Sequence, residues 1–242
     1  MRYFITLSYD GTRYHGWQIQ PNGISVEECL RNALTTLLRK PVETVGAGRT
    51  DAGVHAQKMV AHFDFDDPID EQQLVYRLNR LLPRDMAVQS VQQVADDMHA
   101  RFSATSRTYH YYIHTRKNPF LAAYSCEMHY PLDFEAMNEA AQWLLTQKDF
   151  ASFCKAGADV KTTLCTLTQA SWKQLSENSW CFEITANRFL RNMVRAVVGT
   201  LVEVGRNRIT LEEFQNIVST HSRSAAGESM PAHALFLVDV KY

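Results

Sequence analysis

GAGRTDAGVHA, residues 46–56, places one carboxylate, Asp51, among three glycines, and the residues after it show where that carboxylate is delivered. Ala61, Phe63 and Phe65 alternate with His62, Asp64 and Asp66, the two-residue period of a strand. The stretch therefore reads as a loop that feeds directly into a rigid strand. Glycines at 46, 48 and 53 permit positive φ and close approach of another segment. An acid in such a turn can serve only to accept neighbouring backbone N–H groups. Asp51 has company that points further. Arg49 is a planar fork suited to a phosphate or a base edge, His55 follows four residues on, and a carboxylate can act as a covalent nucleophile.

On the N-terminal side, residues 3–9 alternate as a strand and Asp10-Gly11 ends it, followed by the aromatic-rich YDGTRYHGWQIQP at 9–21. Ser25 to Glu28 reads as a capping box for a helix to Lys40, with Cys29, Leu30, Ala33, Leu34, Leu37 and Leu38 inward. Asp70 with Gln73 caps a second helix closed by Pro83, and Met86–Val94 reads as another strand. The first half is thus strand, helix, strand, helix, strand, with mostly antiparallel pairing expected.

In the second half, Tyr109, Tyr111 and Ile113 share one strand face while His110, Tyr112 and His114 share the other. On a strand the two histidines stand too far apart to share a small ion, so no metal site is assigned. A turn-rich connector at 118–131 leads to an Asp133-capped helix through about Leu145. A loop is expected at 156–161, and a hairpin at 163–172 and 180–186 turning near 176–179. The spacing of Leu190, Met193, Val194, Val197 and Leu201 predicts a helix over 188–204, placing Arg191 and Arg195 one turn apart on a shared face. Thr210 to Glu213 is a further capping box, 219–228 a small polar loop, and Phe236, Val238, Val240 and Tyr242 one face of a last strand. The expected fold is α+β: two similar ferredoxin-like subdomains, 1–104 and 105–242, joined in one extended, mostly antiparallel sheet with helices on one face.

Composition is that of a globular protein: 242 residues, 45% hydrophobic and 21% charged, with no secretory signal or membrane-spanning run, so a cytoplasmic protein is expected. Cys29, Cys126, Cys154, Cys165 and Cys181 are odd in number with no CxxC pair, and read as reduced, mostly buried thiols. The net charge of -1 argues against a uniformly basic nucleic-acid binder. Its distribution argues otherwise. Residues 101–125 carry Arg101, Arg107, Arg116 and Lys117 with no acid, and 186–208 carry five arginines against Glu203. Such segregation allows one face to neutralise phosphates.

GRTDAGVHA resembles the signature loop of the TruA-type tRNA pseudouridine synthases, and the likeness extends through YDGTRYHGWQIQP, FSATSRTYHYYI, DFASFCK, FLRNMVRAVVGTLVEVG and PAHALFLVDVKY. Two positions depart from the pattern: Arg191-Asn192 stands where relatives often have histidine, and Ala234 where they have glycine. The resemblance implies isomerisation of uridine to pseudouridine at positions 38, 39 and 40 of the tRNA anticodon stem-loop, with no cofactor or metal. It also implies a homodimer in which one tRNA contacts both subunits. By position, Asp51 is the expected nucleophile, Tyr109 the active-site tyrosine, and Arg195 the arginine that pairs with the catalytic aspartate. Arg49, His55, Arg107, Tyr109 and Arg191 are the candidates for holding the RNA, whose target base must leave the stack before it can react. A non-catalytic RNA-binding module of the same fold is the alternative. An Asp-nucleophile hydrolase would require a second carboxylate, and no partner acid is evident beside Asp51.

Overall fold

The computed structural model describes residues 1–158 and 160–242; residue 159, in the loop expected at 156–161, lies outside the described residues. The chain is α+β and mostly antiparallel, and it divides into two compact units: Met1–Thr105 with Phe236–Tyr242, and Ser106–Leu235.

In the first unit, β1 (Arg2–Tyr9) lies between β3 (His55–Asp64) and β4 (Met86–Val94), antiparallel to both. The short β2 (Val45–Gly46) pairs with β3, and Phe236 and Leu237 at the start of the last strand run parallel to His55 and Ala56. Helices α1 (Val26–Leu38) and α2 (Glu71–Leu81) pack on one another, and α2 packs on β4. Both start as expected: Ser25 accepts from the Glu28 N–H and Asp70 from the Gln73 N–H. Ile5, Leu7, Leu30, Leu34, Met59 and Leu78 are fully buried at the centre.

In the second unit, β5 (Ser106–His114), β8 (Ser179–Ala186) and β7 (Leu167–Ser176) pair antiparallel in that spatial order, and β6 (Cys126–Glu127) adds to β5 in parallel. Helix α3 (Phe134–Leu144) packs on β7 and on α4 (Met193–Gly205), with α5 (Leu211–Ser219) against both helices. The Thr210–Glu213 capping box is complete in both directions. Phe150, Phe153, Phe182, Phe214, Val197 and Leu201 fill the interior. β9 spans Leu235–Lys241.

The helix expected over 188–204 begins later, at Met193. Asn192 takes φ 66, a left-handed conformation through which a right-handed helix cannot propagate, and the Arg191 carbonyl is taken by the Lys155 N–H at 3.0 Å. Arg191 therefore precedes α4 and shares no helical face with Arg195. The hairpin's first strand likewise starts at Leu167 rather than 163, because Leu164 bridges to Asp149 instead. All five cysteines are free thiols, four of them buried. Among the described residues, no helix is long and apolar enough to cross a membrane.

Candidate active site

The loop carrying Asp51 is pinned on both sides by the aromatic segment that follows β1. Trp17 N–H donates to the Thr50 carbonyl at 3.3 Å, Gly53 N–H donates to the Tyr14 carbonyl at 3.3 Å, and the Tyr9 and Thr50 hydroxyls bond at 2.9 Å. Such approach is possible because the segment has glycine where the two backbones meet. Gly16, at φ +85, would drive a Cβ far inside contact distance of the Thr50 carbonyl oxygen and to 3.2 Å from the Asp51 carbonyl carbon. A Cβ at Gly11 would strike the Val54 carbonyl, and one at Gly46 would meet the Trp17 ring at 2.5 Å. Between these fixed neighbours Asp51 is half-buried and Arg49 is exposed.

The pinning segment is itself braced. Asp85, in the turn between α2 and β4, accepts from the Tyr14 hydroxyl at 2.7 Å through Oδ1 and from Arg13 Nε at 2.7 Å through Oδ2, while its carbonyl accepts the Asp10 N–H at 2.9 Å. Burial, and then the bond to Asp85, push the Tyr14 hydroxyl above the usual phenol range, so it stays a donor. His55 supports the loop from the other end. Its ring is 1% exposed and stacks on Phe236 at 4.5 Å; its Nδ1 accepts the Gly11 N–H at 3.0 Å and lies 3.1 Å from Asp10 Oδ1.

The second unit presents the tyrosine and the other arginines. Tyr109 lies on β5 opposite Ile184, 9% exposed, with Phe189 edge-on at 5.1 Å. Arg107 Nη1 donates to the Asn187 carbonyl at 2.7 Å, which ties the head of β5 to the segment before α4. Arg195, in the first turn of α4, donates from Nε to the Met230 carbonyl at 2.6 Å, and the Tyr111 hydroxyl donates to the adjacent Pro231 carbonyl at 3.0 Å. Helix α4 and strand β5 are thus anchored to two adjacent residues, Met230 and Pro231 respectively. Arg191 is exposed outside the helix. His110 and His114 engage separate partners, Glu183 at 3.5 Å and the Ser125 hydroxyl at 2.9 Å. Among the described residues, no three His, Cys, Asp or Glu side chains gather as metal ligands.

Arg49, Asp51 and His55 accordingly share the first unit, and Arg107, Tyr109, Arg191 and Arg195 the second. Sequence reasoning read Gly11 only as the end of the first strand and did not single out Gly16, Trp17 or Asp85. Gly16 and Trp17 lie inside the aromatic-rich stretch read as a motif, so their signal was present without a role attached; Asp85 had none.

A family model described as tRNA pseudouridine synthase matches residues 5–103 and 140–242. The chain is similar to the tRNA pseudouridine synthase A of Bacteroides fragilis, 57% identical over 242 residues that cover 100% of this chain and 96% of the relative. The protein of that name from Bacteroides thetaiotaomicron is 56% identical, covering 100% and 90%. That from Acetivibrio thermocellus is 39% identical over 240 residues, covering 98% of each.

Proposed function

Since the chain belongs to the tRNA pseudouridine synthase family and is a cofactor-independent isomerase acting on tRNA, we propose that it converts uridine to pseudouridine at positions 38, 39 and 40 of the anticodon arm, with Asp51 as the nucleophile. The reaction breaks the C1′–N1 bond and forms C1′–C5; C5 loses its proton and N1 gains one, so nothing is added or removed. A base that must detach, turn and rejoin cannot do so in the stack, so the nucleotide is flipped out first. Arg49, exposed beside the acid, fills the vacated space or holds a phosphate. Tyr109 offers a flat face for the flipped base. Arg195 takes the charge-pairing role that the resemblance gives it, and Arg107 and Arg191 contact the RNA backbone. His55, with its ring buried on Phe236, acts by holding the loop in place.

The observation that carries this reading is the two-sided pinning of Thr50 and Gly53, which fixes the backbone of Asp51 before any substrate arrives. A nucleophile held in advance needs no ordering at the moment of attack, and that saving can be worth several kcal/mol of the barrier. A turn residue that merely capped its own loop would need no such clamp. The enzyme is further proposed to be a cytoplasmic homodimer; a monomer mass by sedimentation at assay concentration would refute the dimer.

The test is a mass balance on uridine-labelled tRNA with wild type and Asp51→Asn, following pseudouridine and free uracil together. Wild type is expected to yield pseudouridine without free uracil, and Asp51→Asn to lose at least about a thousandfold in rate while still binding tRNA. Free uracil would indicate a hydrolase, and binding without conversion by wild type a non-catalytic module.

A further inference from the structure

Arg195 exchanges two hydrogen bonds with a single residue of a remote loop. Met230 N–H donates to the Arg195 carbonyl at 3.1 Å, and Arg195 Nε donates to the Met230 carbonyl at 2.6 Å. The segment that delivers Met230, residues 222–231, consists of turns and extended backbone with no helix or strand to stiffen it. Three of the bonds that shape it come from one side chain. Arg223 donates from Nη1 to the Ala226 and Gly227 carbonyls at 3.3 and 3.0 Å, and from Nη2 to the Ser229 hydroxyl at 2.9 Å.

The buckled loop is then fastened along α4. Gly227 N–H donates to Thr200 Oγ1 at 3.0 Å, and Asn192 Nδ2 donates to the same Ser229 hydroxyl at 2.5 Å. Gly199 has no side chain where the Glu228 carbonyl lies against the helix; a Cβ there would sit far inside contact distance of that oxygen. The three acceptors of Arg223 are neutral, so its bonds serve geometry. A rigid planar fork holds its acceptors in one fixed geometry, whereas the three donors of an ammonium sit on a single rotatable point charge.

We propose that Arg223 is a positioning residue for the isomerisation: by buckling residues 223–229 onto α4 it holds the Met230 carbonyl in place, and that carbonyl fixes Nε and the plane of the Arg195 guanidinium. The inference rests on the reaction role given to Arg195 above. The effect of Arg223 on the reaction passes through Arg195 alone.

The experiment compares kcat and KM for tRNA, with thermal unfolding as a control, in wild type, Arg223→Ala, Arg223→Lys, Arg195→Met and the Arg223→Ala/Arg195→Met double variant. Arg223→Ala is expected to lower kcat about tenfold with KM within about twofold, and Arg223→Lys to restore little of it. In the Arg195→Met background, adding Arg223→Ala should lower kcat no further, because the residue it acts through is already gone. If Arg223→Ala does not fold, Ser229→Ala removes one prong of the buckle and is expected to lower kcat about threefold by the same route. Unchanged kcat, a change confined to KM, or additive losses in the double variant would each overturn the proposal. Full activity of Arg195→Met would instead refute the role of Arg195 itself, a failure visible in that single variant.

Discussion

At the scale of single residues, the glycines divide by what a methyl group would meet. Gly16 combines φ +85 with a Cβ direction aimed at the Thr50 carbonyl and the Asp51 backbone, whereas a Cβ on Gly48 would meet nothing within 4 Å. Gly16→Ala is therefore expected to cost about 1–3 kcal/mol of stability and, by displacing the Asp51 backbone, at least about tenfold in kcat. Gly48→Ala should change stability by no more than about 0.5 kcal/mol. Urea unfolding and single-turnover rates of both variants check the pair, and equal effects would mean that contact with the loop does not set the cost. The contrast also measures what was legible at this scale. The three glycines of 46–56 stand out in the sequence, yet one of them faces open space, while the tight approaches belong equally to Gly11 and Gly16 in the preceding segment. Close approach is a property of two segments, and a sequence shows only one of them at a time. The acid and its flanking arginine can be picked out as candidates because they are local.

Helix α4 shows where periodicity informs and where it misleads. The apolar spacing identified the buried stripe of Met193, Val194, Val197 and Leu201, but Leu190 extended the pattern three residues too early. Leu190 is buried by the turn that precedes the helix, so burial continued where the helix did not, and the left-handed Asn192 marks the break. The loop fastened to this helix had no signal beyond small polar composition, since its order derives from Arg223 and from contact with Thr200 and Gly199. Gly199→Ala puts two opposing effects in competition. In a helix interior alanine gains about 1 kcal/mol over glycine. Against this, the new methyl would collide with the Glu228 backbone carbonyl, which cannot swing aside as a flexible side chain can. Overpacking of this kind costs about 1–3 kcal/mol, so the net change is expected to be destabilising, with kcat falling as Met230 shifts. A stabilised, fully active Gly199→Ala in urea unfolding would show the loop to be free to move off the helix.

For the molecule as a whole, the long strands were legible but their partners were not: alternation marks 236–242 as a strand, and only the fold reveals that Phe236 and Leu237 return to run beside His55 and Ala56. The global consequence that does follow from local chemistry is the response to acid, because three histidines are shifted in the same direction. His62 is pushed down to about 4, first by burial and then by the charge of Arg2 and the neighbouring His99; His99 and His110 are also lowered, burial leading in each. His62 is 5% exposed and its Nδ1 accepts the Ala100 N–H at 3.1 Å, so a proton there would both charge the interior and remove an acceptor. In the unfolded chain these rings bind protons near 6.5, while the folded chain resists, so the unfolded state holds more protons below that pH. The stability is accordingly full above pH 6.5 and falls as the pH drops toward 4, by at most about 3 kcal/mol for His62. Asp64 acts in a separate, lower window. Its hydrogen bond to Arg2 lowers its carboxyl from 3.8, and the stability it contributes is lost only as the pH falls through that depressed value. Urea unfolding of wild type and His62→Gln at several values between pH 7 and pH 4 isolates the histidine contribution, because Asp64 titrates below that range. The substituted glutamine keeps an acceptor for the Ala100 N–H and cannot titrate, so most of the decline between 6.5 and 4 should vanish in the variant, and a decline of undiminished size would assign it to other groups.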